Sequence, residues 1–202
     1  MKSMKIGIIG AGQVGRALAK KFMKAGYPVI ISNSRGPETL RELVLDLGTL
    51  ALAGSSEDAA NADIVVLAVM WWKIPEVLEK LKDQLKGKIV IDVSNYYPKD
   101  GKMVAPEIPT GLTVNALIPD SKVVKAFNHL YGKWIEAEPA VGAGKRVSFI
   151  SGDHPEANRT VKEIISSFGF EVVDLGSLAQ GGKLTDIGAP LSGINLVSYP
   201  VQ

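Results

Sequence analysis

The sequence predicts an α/β protein built on a doubly wound, mostly parallel sheet, and three observations carry that prediction. Short apolar runs alternate with stretches of helical periodicity along most of the chain. Runs such as Ile64-Val65-Val66-Leu67-Ala68-Val69 and Ile89-Val90-Ile91 are continuously apolar, as expected of strands buried on both faces. The first run ends in Gly10-Ala11-Gly12-Gln13-Val14-Gly15, where strand passes to helix through glycines in G-x-G-x-x-G spacing. About eight strands are expected. Residues 1–202 read as one unit, in which 140–202 add a small C-terminal extension to the same sheet.

The elements follow in order. Lys5 to Ile9 is a strand, and Val14, Ala17, Leu18 and Phe22 fall at helical spacing behind the glycines. Gly26-Tyr27-Pro28 breaks the helix and Val29-Ile30-Ile31 makes a second strand. Leu40, Leu43, Val44 and Leu47 mark a helix from Glu38 that stops at Gly48, before a third strand over Thr49–Leu52. Ser55 and Asp58 form a capping box, opening a short helix before the fourth strand, Ile64 to Val69. Ile89–Val93 is the fifth strand. The Gly- and Pro-rich stretch from Gly101 to Pro119 reads as irregular, with a helical turn near Val114–Ile118. Val123–Phe127 is the sixth strand, Tyr131–Glu138 a helix, Gly142-Ala143-Gly144 a loop and Arg146–Ile150 the seventh strand. Asp153 is the expected N-cap of a helix over His154–Phe168, with Pro155 in its first turn and Val161, Ile164, Ile165 and Phe168 inward. Phe170–Val173 is the eighth strand, and Leu184, Ile187, Pro190 and Leu191 form an apolar closing segment.

Composition removes several functions. The net charge of +2 is scattered without a basic block, so a nucleic-acid partner is not expected. With no cysteine and only two histidines, His129 and His154, thiolate chemistry is excluded and a metal site is not expected. The longest apolar run, Ile64 to Trp72, is under half the roughly 20 residues of a membrane helix. The chain enters its first strand almost at once, without a signal-peptide pattern, so a cytoplasmic location is expected.

The glycine turn is suited to a pyrophosphate. Gly10 makes a tight turn, Gly12 admits the phosphates close to the backbone, and Gly15 lets helix pack on strand, while the helix start offers unpaired N–H groups and its positive dipole end. This predicts a Rossmann-type dinucleotide site. At the end of the second strand, Ser32-Asn33-Ser34-Arg35 carries no acid to accept from a ribose 2′-hydroxyl. Ser34 and Arg35 suit a 2′-phosphate instead, which selects NADP(H) over NAD(H).

Ligands of such sheets sit beyond the strand C-termini. That nominates Ala68, Val69, Met70 and Trp71 after the fourth strand, Ser94 and Asn95 after the fifth, and Ala126, Asn128, His129 and Leu130 after the sixth. Trp71 and Trp72 either line a nicotinamide pocket or pack with Ile74 and Pro75 as a lid. Ser94 and Asn95 also fit plain turn chemistry before Pro98, His129 a structural imidazole, and Lys125 an edge or strand-end charge. Hydride transfer needs two flat rings stacked with water excluded. A pocket of Met70, Trp71, Leu130, Leu184 and Pro190, oriented by Asn128 and His129, would provide this. No tyrosine is followed by the Tyr-x-x-x-Lys pair that would donate a proton to a carbonyl.

Gly10-Ala11-Gly12-Gln13-Val14-Gly15, Ser32-Asn33-Ser34-Arg35, Ile89-Val90-Ile91-Asp92-Val93-Ser94-Asn95, Val123-Val124-Lys125-Ala126-Phe127-Asn128 and Phe170-Glu171-Val172-Val173-Asp174-Leu175-Gly176 together resemble the NADPH-dependent coenzyme F420 reductase family. Its relatives include the cytosolic domain of the STEAP metalloreductases. The resemblance implies NADP(H) on the glycine turn, Ser34 and Arg35, a second redox ring near Asn128 and Leu130, and a homodimer. Asn128 stands where the deazaflavin reductases carry a histidine, so the implied second cofactor is either deazaflavin F420 or a flavin, FMN or FAD. Two alternatives stay open: a protein that senses NADP(H) without turnover, and a reductase of a small carbonyl or imine.

Overall fold

The computed structural model describes residues 4–97 and 104–200. Pro98 and the first residues of the expected irregular stretch, 101–103, lie outside them. The chain runs β1 (Ile6–Ile9), α1 (Gln13–Lys24), β2 (Val29–Ser32), α2 (Arg41–Leu47), β3 (Ala51–Ala53), α3 (Ser56–Ala60), β4 (Ile64–Leu67), α4 (Ile74–Leu85) and β5 (Ile89–Asp92). It continues through α5 (Thr110–Leu117), β6 (Lys122–Ala126), α6 (Gly132–Glu136), β7 (Ala140–Val141), β8 (Gly144–Gly152), α7 (Pro155–Ser167), β9 (Glu171–Asp174), α8 (Leu178–Thr185) and β10 (Val197–Ser198).

Six strands form a parallel core in the order β3-β2-β1-β4-β5-β6. The winding reverses between β1 and β4, and β8 then lies antiparallel to β6 and parallel to β9. Alternate residues of the buried strands feed two cores. Ile64, Val66, Ile91 and Val124 meet α1 and α7 through Leu18, Phe22, Val161 and Ile165 on one face. Val65, Leu67, Val90 and Val123 meet α4 and α5 through Leu78, Leu81 and Val114 on the other.

Three differences from expectation have identifiable causes. Ten strands are present among the described residues, not about eight. The extra two, β7 and β10, are two residues long and exist by pairing with residues 144–146 of β8. The expected turn near Val114 is the second half of α5, whose start is fixed from far away: the Asp186 carboxylate accepts from the Thr110 backbone N–H at 2.8 Å and from its hydroxyl at 2.6 Å. Asp153 does not cap α7. His154 occupies that position, while Asp153 Oδ1 accepts from the Leu178 N–H at 3.0 Å and ties α8 to the end of β8.

Candidate functional site

A cavity of about 570 Å³ opens beyond the C-terminal ends of β1, β4, β5 and β6. The glycine turn forms one wall. Gly10 sits at φ 112°, and a Cβ there would collide with the Ala68 carbonyl; one on Gly15 would strike the Gly10 carbonyl. These two glycines are required by the protein's own packing. Gly12 differs, because a Cβ there would meet nothing within 4 Å. It N-caps α1 without a side-chain bond to the helix and lines the cavity with Gln13 and Val14, so free N–H groups face the open space. Arg16 Nε donates to the Ala11 carbonyl at 2.9 Å and braces the turn from outside. Gly7 was not singled out from the sequence, yet a Cβ there would collide with the Ala59 carbonyl where α3 lies on β1.

The second-strand tip leaves the sheet beside this turn, since the Gly10 N–H donates to the Ser32 carbonyl at 3.0 Å. The Ser32 hydroxyl is turned inward to the Ile8 carbonyl. Asn33 shapes the loop: its Oδ1 accepts from the Arg35 N–H at 2.9 Å and its amide donates to the Thr39 hydroxyl. Ser34 and Arg35 are exposed, with no carboxylate among the described residues paired to the guanidinium.

Ala68, Val69, Met70 and Trp71 line the cavity as expected from their strand. Trp72 does not pack as a lid, being 62% exposed. Ser94, Asn95, Asn128, His129 and Leu130 also line it, whereas Ala126 lies below in the sheet. Leu184 and Pro190 are not lining residues. The same segment instead contributes Ile187, Gly188, Ala189, Ser192 and Gly193, because α8 ends at Thr185 and the chain turns back towards Tyr131. Tyr97 and Tyr131, both more than half exposed, stand at the rim.

Beneath the cavity lies a polar network that the sequence reading missed. Lys125 is not an edge charge: it is 2% exposed in β6, and its ammonium donates to Asp92 Oδ2 at 2.8 Å and to the Ser94 carbonyl at 2.6 Å. Asp92 Oδ1 accepts from the Ser94 N–H at 2.9 Å and its hydroxyl at 2.6 Å. A fully buried ion pair therefore grips the turn that carries Asn95. The register that places Lys125 opposite Asp92 across β5 and β6 was the available signal.

Phe127, at φ 59°, swings the chain out of β6 so that Asn128 and His129 reach the cavity. The Asn128 amide nitrogen donates to the Thr185 carbonyl at 3.1 Å and approaches Asp186 at 3.4 Å. His129 is 1% exposed, packs edge-on against Phe149 and accepts from the Phe149 N–H at 3.4 Å. Burial lowers its pKa to about 4, so the imidazole is neutral near pH 7, and with Nε2 accepting from Phe149 its one proton sits on Nδ1.

Residues 5–96 match the family model described as NADP oxidoreductase, coenzyme F420-dependent. The chain is similar to this family over that stretch, from β1 through the turn after β5. A hypothetical protein of Sinorhizobium meliloti is 41% identical, with TM-score 0.88 and 96% of each chain covered. A protein of Arthrobacter sp. FB24, provisionally described as an F420-dependent NADP reductase, is 26% identical, with TM-score 0.77 and 91% and 90% of the two chains covered. Metalloreductase STEAP3 of Rattus norvegicus is 33% identical over 91% of this chain but 36% of its own length. The chain thus spans a little over a third of that curated relative. Among the described residues no helix is long and apolar enough to cross a membrane.

Proposed function

We propose that this protein is an NADP-dependent oxidoreductase that passes hydride between NADP(H) and a second, planar redox cofactor, deazaflavin F420 or a flavin. The observation that carries the reading is Gly12, the one glycine of the motif whose missing side chain no described residue explains, facing the cavity at the start of α1. Space for a phosphate accounts for it. Arg35 and Ser34, free at the tip of β2, take the 2′-phosphate that distinguishes NADP(H). Bound NADPH would supply a hydride, two electrons, to an acceptor stacked on its nicotinamide. Met70, Trp71 and Leu130 exclude water from that end, and Tyr97 and Tyr131 offer flat surfaces at its mouth. We also propose that the protein pairs as a homodimer.

The test is NADPH oxidation followed by absorbance, with F420, FMN, FAD and a ferric chelate offered separately and NADH as the alternative donor. Turnover with F420 or a flavin, faster from NADPH than from NADH, is expected. Tight NADPH binding with no turnover on any acceptor would replace this reading with that of a sensor.

A further inference from the structure

Helix α1 and the segment after β6 are fastened side by side, and the fastening enters the cavity at Gln13. Lys20 Nζ donates to Glu136 Oε1 at 3.2 Å, Lys21 Nζ to the Ala137 carbonyl at 2.8 Å and Lys24 Nζ to Glu138 Oε1 at 2.7 Å. At the start of the same helix the Gln13 side chain lies over Gly132, the first residue of α6. A Cβ on Gly132 would stand 2.8 Å from Gln13 Cδ and 2.9 Å from its Oε1. Gly132 lies outside the left-handed region, so its backbone does not demand glycine. The Gln13 amide is what fills the space. Both residues line the cavity and Gln13 is exposed, so a ligand there can reach the amide. Unlike Arg16 and the three lysines of α1, the Gln13 side chain bonds to no described residue.

We propose that the Gln13 carboxamide hydrogen-bonds the ribose hydroxyls of the nicotinamide nucleoside and so sets how far the ring reaches from the diphosphate. The proposal rests on reading the cavity as an NADP(H) site. In that reading the diphosphate lies at Gly12 and the ring against Met70, Trp71 and Leu130, so the sugar between them passes Gln13 on one side and Tyr131 and Gly132 on the other. A vicinal diol presents two groups that each donate and accept, and a carboxamide answers it with an acceptor and two donors in one flat group. Gly132 leaves the amide room to lie along this path. Because the contacts between α1 and residues 136–138 hold the two sides at one spacing, the amide is in place before the ligand arrives.

Equilibrium binding of three ligands to the wild-type chain, Gln13→Ala and Gly132→Ala tests this: NADPH, 2′-phospho-ADP-ribose, which keeps the second ribose without the nicotinamide, and 2′-phospho-ADP, which ends at the diphosphate. Gln13→Ala should weaken the first two about tenfold, the worth of one or two hydrogen bonds, and leave 2′-phospho-ADP unchanged. Gly132→Ala, which pushes the amide aside, should show the same selective loss, and adding it to Gln13→Ala should cost nothing more. The proposal is overturned if either variant binds all three ligands as wild type does, or if the two losses add in the double variant. It is equally overturned if 2′-phospho-ADP weakens as much as NADPH, which would make the amide a diphosphate contact or a structural tie, or if NADPH alone weakens, which would put the amide on the nicotinamide. If the wild-type chain binds neither NADPH nor 2′-phospho-ADP, the NADP(H) reading itself fails, and the proposal with it.

Discussion

Gly10 and Gly12 stand two residues apart in one turn, yet their substitution should have opposite effects. Gly10→Ala forces a Cβ into the Ala68 carbonyl at a positive φ, and a loss of more than about 3 kcal/mol in chemical denaturation is expected. Gly12→Ala should change stability by under about 1 kcal/mol while reducing NADPH affinity at least about tenfold, by filling the space proposed for phosphate. Arg35→Ala should weaken NADPH about tenfold or more and leave NADH almost unaffected in parallel titrations, since only the former carries the 2′-phosphate. His129 predicts a pH effect on stability. The unfolded imidazole takes up a proton near pH 6.5 and the folded one only near 4, so the unfolded state binds more protons between those values. Stability should therefore fall as pH drops through that window, by up to about 3 kcal/mol, and His129→Gln should flatten the dependence in urea titrations at stepped pH. The turn glycines Gly10 and Gly15 were legible because their spacing carries the geometry that the strand–helix turn imposes. The state of His129 was not, because burial depends on where Phe149 is brought, twenty positions later in the chain.

Among the elements, the parallel strands were read correctly wherever both faces are buried, because continuous apolar runs have no other ready explanation. The failures cluster where one element is defined by another. α5 is anchored by Asp186, α8 is tied to Asp153, and β7 and β10 are held by β8. The β5–β6 junction belongs to the same class: Lys125 looks misplaced in an apolar run until the register sets it beside Asp92. Lys125→Met should destabilise the fold by about 3–5 kcal/mol, because Asp92 is then left buried and unpaired. Adding Asp92→Asn, which removes that charge while retaining an acceptor for Ser94, should recover part of the loss, and denaturation midpoints of the two single variants and the pair would show it.

For the molecule as a whole, the proposed homodimer predicts a mass in light scattering of twice the chain's 21.5 kDa. The cavity is assembled from two unequal contributions. Its cofactor side comes from the ends of the parallel strands, whose geometry is locked by the central sheet. Another part of its lining, Ile187 to Gly193, comes from a segment that leaves α8, bonds to the His129 carbonyl through the Gly193 N–H and rejoins the sheet at β10, which pairs with Lys145 and Arg146 of β8. These two parts answer to different constraints. Gly193 ties this wall to the turn after β6, its N–H donating to the His129 carbonyl at 2.8 Å, and Gly188 and Gly193 hold positive φ, so the positions between them are the ones that can be rewritten while the parallel strands and the glycine turn stay in place. A lineage or a designer seeking a new electron acceptor has a small, separable stretch of sequence to vary, with the costly half of the enzyme already in place.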